Sequence, residues 1–179
     1  VFLASAEEEV SGRDGMERVL PLLPRLDVGL VGEPTGMQPA VAEKGLMVLD
    51  CIAHGQAGHA ARDEGDNAIY RALEDIEWFR TYRFPKTSDR LGAVKMTVTI
   101  INAGTQHNVV PAECRFTVDV RSNELYTNED IYNIVRAHVG CDVQARSFRL
   151  NSSSIPLNHP LVQRCLLHAA PPKTPFGSP

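Results

Sequence analysis

No two of the four cysteines form a CxxC pair; Cys51, Cys114, Cys141 and Cys165 are scattered along the chain. Such spacing disfavours both a thiolate zinc site and a disulfide framework. Cys51 and Cys114 sit inside apolar strand patterns and read as reduced core residues, so a reducing compartment, the cytoplasm, is the expectation. Long apolar runs are also missing. None approaches the ~20 residues that span a bilayer, and no basic-then-apolar leader opens the chain. There is no excess of positive charge either. Eighteen Lys and Arg against 22 Asp and Glu leave a net charge of -4, and the pI is near 5.9. That balance argues against nucleic acid or an anionic membrane as partner. Repeats and low-complexity tracts are absent.

What is present is a soluble globular composition: 43% hydrophobic and 22% charged over 179 residues, enough for one ordinary domain or two small ones. Val1 to Ala4 is a short apolar run, strand-like by length. Met16, Val19, Leu20 and Leu23 recur at helical spacing, and Pro24 closes that helix. Leu26 to Val31 then reads as a buried strand that delivers Glu33 to its C-terminal edge, where Pro34 stops the ladder. A β-α-β unit of this kind would bring the acidic Glu7-Glu8-Glu9 and Glu33 to one sheet edge, where ligands of open α/β sheets collect.

The stretch from about Lys44 to Phe148 has its own pattern. Leu46 to Ala53 reads as a strand, followed by the glycine-bearing loop Gly55-Gln56-Ala57-Gly58-His59. Asp66 or Asn67 caps a helix with Ile69, Leu73, Ile76 and Phe79 on one stripe. Val94, Met96, Val98 and Ile100 alternate with Lys95, Thr97 and Thr99, giving a strand with one solvated face. Cys114 to Arg121 alternates strictly. Ile131, Ile134, Val135 and Val139 form a second amphipathic helix that Gly140 can end, and Cys141, Val143 and Ala145 mark a last strand. The order β-α-β-β-α-β is the ferredoxin-like split βαβ, an antiparallel sheet with two helices on one face. Beyond Leu150 a loop leads to a helix opened by Asn158 or His159, with Pro160 in its first turn.

Three adjacent glutamates repel one another unless something neutralises them. A divalent metal does so and would also account for Glu33 arriving from a neighbouring strand. The alternative is a solvated acidic turn favoured by the dipole of the helix that follows.

Several motifs, in order, carry a resemblance. Ser5-Ala6-Glu7-Glu8-Glu9-Val10-Ser11-Gly12 is similar to T-x-D-E-E-x-G-G, and Val31-Gly32-Glu33-Pro34-Thr35 to V-G-E-P-T. Gly55-x-x-Gly58-His59-Ala60-Ala61, with Gly65-x-Asn67-Ala68-Ile69, is similar to G-x-x-G-H-(A/S)-x-x-x-x-G-x-N-A-I. Asn108-Val109-Val110-Pro111 is similar to N-V-(I/V)-P, and Asp119-Val120-Arg121 to D-x-R. Together they resemble the di-zinc amidohydrolase and exopeptidase family of acetylornithine deacetylase, succinyl-diaminopimelate desuccinylase, aminoacylase and glutamate carboxypeptidase. The Glu33-Pro34-Thr35 and Glu43-Lys44-Gly45 stretches are most similar to the acetylornithine deacetylase and desuccinylase branch.

The resemblance implies an α/β catalytic domain, present in part as residues 1–43 and 149–179, interrupted by an α+β ferredoxin-like lid and dimerisation domain at 44–148. It implies two zinc ions, with cobalt as a possible substitute, and Glu9 and Glu33 as metal ligands. Glu8 would be the general base, and His59 would reach from the lid of a homodimer partner to stabilise an oxyanion. Asn108 and Arg121 would bind substrate, an N-acyl amino acid or a dipeptide. The departures are Glu7 for the usual Asp, which leaves the register of the triplet open by one residue, Ser11 for a glycine, and Asp63 where many members carry proline. The family's H-x-D motif, bridging Asp and final ligand His are absent, as expected of a middle piece of a longer chain. The rival functions are a dipeptidase or aminoacylase on the same scaffold and a non-catalytic dimerisation module.

Overall fold

The computed structural model describes residues 2–4 and 14–169 and divides into two units between Pro34 and Thr35. The first contains one short helix, α1 (Met16–Val19), which runs on into a 3-10 turn at Leu20–Leu22. The second contains β1 (Ala42–Glu43), β2 (Gly45–His54), β3 (Gly58–His59), α2 (Ala68–Thr81), β4 (Lys95–Ala103) and β5 (Val109–Val110). It continues with β6 (Glu113–Ser122), α3 (Asn128–Arg136), β7 (Asp142–Ala145), β8 (Ser153–Ser154) and α4 (Pro160–His168).

The strand expected over Leu26–Val31 does not form, and Phe2–Ala4 form none either. Leu30 and Val31 are each 77% exposed. An apolar run of this length becomes a strand only against neighbours that take up its backbone groups, and among the described residues it has none.

The second unit is the ferredoxin-like sheet. Strands β4, β6, β2 and β7 lie side by side in that order, every pair antiparallel. Period-two alternation builds its core. Met47, Leu49, Cys51 and Ala53 of β2 and Cys114, Phe116, Val118 and Val120 of β6 are buried together under Ala72 and Phe79 of α2 and Ile131 and Val135 of α3. The contact face of α2 lies one residue from the expected stripe: Ala68, Ala72, Asp75 and Phe79 are buried, whereas Leu73 is 51% exposed. Small Ala68 and Ala72 let the helix approach the sheet closely. In β4 a bulge between Val98 and Ile100 resets the phase, as an extra residue must. Ile100 therefore pairs with Thr117 on the open face instead of continuing the inner row.

Asn67 caps α2 by accepting the Ile69 N–H at 2.9 Å. Thr127 and Asp130 form a reciprocal capping box at α3. Helix α3 ends at Arg136, short of the expected Val139. Gly140 is not its terminator; its N–H donates to the buried carboxylate of Asp75 at 2.8 Å. At α4 the cap is His159, whose Nδ1 accepts the Leu161 N–H at 3.2 Å.

The lower end of the sheet is tied to its flanking segments by one side chain. Asn128 is fully buried; its Nδ2 donates to the carbonyls of Leu46 at 3.2 Å and Leu150 at 2.9 Å, and its Oδ1 accepts from Ser122 Oγ at 2.8 Å. Space there is so tight that a Cβ on Gly45 would lie 2.2 Å from Ser122 Oγ and 2.7 Å from the Leu150 carbonyl oxygen. Nearby, β1 and β8 pair as the chain enters and leaves the sheet.

Candidate active site

The residues drawn from the G-x-x-G-H and N-V-V-P motifs come together. Strand β3 pairs with β5, placing His59 opposite Val109, and the Ala60 N–H donates to the Asn108 carbonyl at 3.0 Å. The ribbon is anchored by the Gly55 N–H to the Ala112 carbonyl at 2.8 Å and the Ala68 N–H to the Pro111 carbonyl at 3.1 Å. The motif glycines are required by close approach. A Cβ on Gly55 would meet the Asp66 carbonyl oxygen at 2.1 Å, and one on Gly58 would meet Gly65 Cα at 2.9 Å. The loop therefore folds back on itself, leaving His59 exposed at its tip.

His59 is held in a defined tautomer. Its Nδ1 accepts the Ala61 N–H at 3.1 Å, so the neutral ring carries its proton on Nε2, free to donate. Asn108 is half-buried beside it. A depression of about 460 Å³ adjoins the ribbon, lined by Ala60, Asn67, His107, Val109 and Pro111 among others. His107, to which no motif assigned a role, faces it; only the fold could reveal that. A larger depression of about 970 Å³, beside β7, contains none of the expected site residues.

Arg121 stands apart from this group. It lies near the last residue of β6, paired with Leu46 of β2 and Lys95 of β4, at the end of the sheet where β1 and β8 meet it. The ribbon with His59 joins the other end, beside Glu113. Eight residues of extended strand separate these ends by about 27 Å. The Arg121 fork is held by a neighbour on its own strand: Nε and Nη2 donate to the two oxygens of Asp119 at 2.8 and 3.1 Å.

Glu8 and Glu9 lie outside the described residues. Glu33 is exposed, in an irregular segment of the first unit. Carboxylate oxygens are suitable zinc ligands, so the donor chemistry fits the implied metal; among the described residues no cluster of three His, Cys, Asp or Glu side chains offers a rival site. No described helix is long and apolar enough to cross a membrane.

A four-stranded antiparallel sheet under two helices, with a glycine-bound histidine ribbon at one end, defines a ferredoxin-like α+β domain. Residues 41–142 match the family model described as a peptidase dimerisation domain, and the chain belongs to that family. It is 26% identical over 148 residues to the succinyl-diaminopimelate desuccinylase of Paracoccus denitrificans, covering 76% of this chain and 39% of that protein. It is 33% identical over 128 residues to the acetylornithine deacetylase of Myxococcus xanthus, covering 68% and 34%. Among solved structures, a tripeptidase from Staphylococcus aureus superposes with a TM-score of 0.70 at 18% identity, covering 95% of this chain and 49% of that one. An aminopeptidase from Bacillus cereus gives 0.60 at 16%, covering 83% and 43%. The chain thus spans between a third and two-fifths of the curated relatives it matches.

Proposed function

We propose that the full-length protein hydrolyses the amide bond of an N-acyl amino acid, in the manner of an acetylornithine deacetylase, and that this chain supplies its lid and part of its catalytic domain. Residues 1–43 and 149–179 would belong to that catalytic domain and residues 44–148 to the lid. The observation that carries the reading is the His59–Asn108 ribbon, together with the match to a desuccinylase and a deacetylase. A dipeptidase on the same scaffold remains the second reading, favoured by the fold shared with a tripeptidase.

Glu9 and Glu33 would hold zinc, which when bound supplies a water acidic enough to lose a proton near neutrality. Glu8 would take that proton and pass it to the leaving amine nitrogen. His59 would donate from Nε2 to the developing oxyanion, a role that its fixed tautomer supports. Asn108 would hydrogen-bond the substrate, and Arg121 would face a carboxylate.

The two ends of the sheet divide these roles. His59 and Asn108 sit far from the β1 and β8 crossing, the position from which a lid can reach a second subunit. Arg121 sits at the crossing itself. Self-association of the lids into a homodimer would bring His59 to the partner's site. The deciding experiment is turnover by the full-length, zinc-loaded protein on N-acetylornithine, N-succinyl-diaminopimelate and a dipeptide panel. Hydrolysis of none of them overturns the enzymatic reading and leaves a dimerisation module.

A further inference from the structure

Lys95 and Arg121 are register partners on β4 and β6, so two cations stand side by side on the open face of the sheet. Both side chains are exposed. Like charges directly opposite on neighbouring strands destabilise the pair. Asp119 compensates only one of them, through Nε and Nη2 of Arg121, which leaves Nη1 available. Among the described residues the Lys95 side chain has no hydrogen-bond or ion-pair partner. The three groups together carry one net positive charge. On the far side of β6 the same face presents Leu46 and Val48, the register partners of Arg121 and Asp119, both half-buried. Cations beside an apolar surface match a carboxylate borne on methylene groups.

We propose that Lys95 and Arg121 form a two-cation carboxylate clamp, with Lys95 as a specificity-determining residue for the substrate. This rests on the hydrolase reading above for its substrate, but the clamp itself is a property of the sheet. The carboxylate has two possible sources: the α-carboxylate of the amino acid, or the far carboxylate of a dicarboxylic acyl group. Arg121 is held rigid by Asp119, and Lys95 adds a flexible second donor that follows the anion.

The test compares the full-length enzyme with its Lys95→Gln and Lys95→Arg variants on the N-acetyl and N-succinyl derivatives of one amino acid. Loss of a charge-assisted contact predicts a KM about tenfold higher for Lys95→Gln, with a smaller change in kcat, and Lys95→Arg restoring most of the loss. A KM rise confined to the succinyl substrate assigns the clamp to the acyl carboxylate; an equal rise for both assigns it to the α-carboxylate. Separately, the 179-residue chain is titrated with sodium succinate, against sodium chloride at matched ionic strength, and followed by NMR. Saturable shifts at Lys95 and Arg121, lost in Lys95→Gln, are expected. If the full-length protein hydrolyses no N-acyl amino acid, the hydrolase reading fails and the titration alone decides the clamp. Unchanged KM values, or succinate shifts at these residues that survive in Lys95→Gln, overturn it.

Discussion

The hydroxyl of Tyr132 donates to the carbonyl of Val143 at 3.0 Å, so a side chain of α3 reaches over the outer edge of β7 and occupies one of its free backbone groups. The other edge of the sheet, β4, pairs among the described residues only with β6 and carries Ile100 and Ile101, each about half exposed. An uncovered edge with apolar side chains is a template for pairing. The dimerisation domain should therefore self-associate through β4 and not through β7. Ile101→Lys places a charge on that edge and should weaken the dimer at least tenfold in sedimentation equilibrium, with the circular dichroism unchanged. A dimer of wild-type strength would exclude β4 as the contact.

Asn128 should matter more to stability than any surface ion pair. Replacing it by Ala leaves the Leu46 carbonyl and Ser122 Oγ without their buried partner and takes one of two donors from the Leu150 and Phe148 carbonyls, which keep the Leu46 N–H and Asn151 Nδ2. Each such group costs on the order of 1–3 kcal/mol when unsatisfied, and water entering the vacated space offsets part of the sum. A loss of about 2–4 kcal/mol in urea unfolding is expected; a loss below about 1 kcal/mol would show that the base of the sheet relaxes without it.

What was legible in the sequence followed the distance over which each signal acts. The ferredoxin-like domain could be read because the alternation in β2 and β6 and the cap at Asn67 are local, and each element finds its partner within the chain. The strand expected over Leu26–Val31 could not, because that run is apolar but has no neighbour among the described residues; hydrophobicity sets a tendency and pairing realises it. The bulge at β4 escaped for a related reason. Thr99 looks like an ordinary outward residue, and only the pairing of Ile100 with Thr117 reveals the change of phase. Within the site, the motifs singled out His59 and Asn108 separately, and that their two segments adjoin became visible only in the pairing of β3 with β5. The separation of Arg121 from them follows from the length of β6, which no motif states.

A modest acid sensitivity should arise on the open face. Two hydrogen bonds from Arg146, at 2.8 Å each, hold the Asp50 carboxyl below its ordinary value of 3.8 against the opposing effect of desolvation, with the Arg146 charge and Thr117 adding to the lowering. A carboxyl whose pKa is lower folded than unfolded adds stability that is complete above its unfolded value and fades as pH falls through the folded one. The pair is partly exposed, so its worth is at most about 1 kcal/mol. Wild type should exceed Asp50→Asn by that amount at pH 6, and the two should converge as the pH drops below about 3.8. A gap that persists at pH 2.5 would mean that the substitution acts through something other than the charge.

If His59 serves the partner's site, each active centre of the full-length enzyme is built from two chains, and the geometry makes this testable by mixing. A Glu8→Gln variant keeps His59 but lacks the base. A His59→Ala variant keeps the base but lacks the oxyanion donor. Each homodimer should be nearly inactive, since loss of one such donor typically costs ~10²–10³ in rate. In a heterodimer, the subunit with intact Glu8 faces the subunit with intact His59, so one of the two sites is whole. Subunit exchange should then restore about half the wild-type activity per heterodimer, with the mixed species verified by native mass spectrometry. Exchange without recovery would place the His59 imidazole in its own chain's chemistry or outside the chemistry altogether, and the assignment of the two ends of the sheet to two different sites would fall with it.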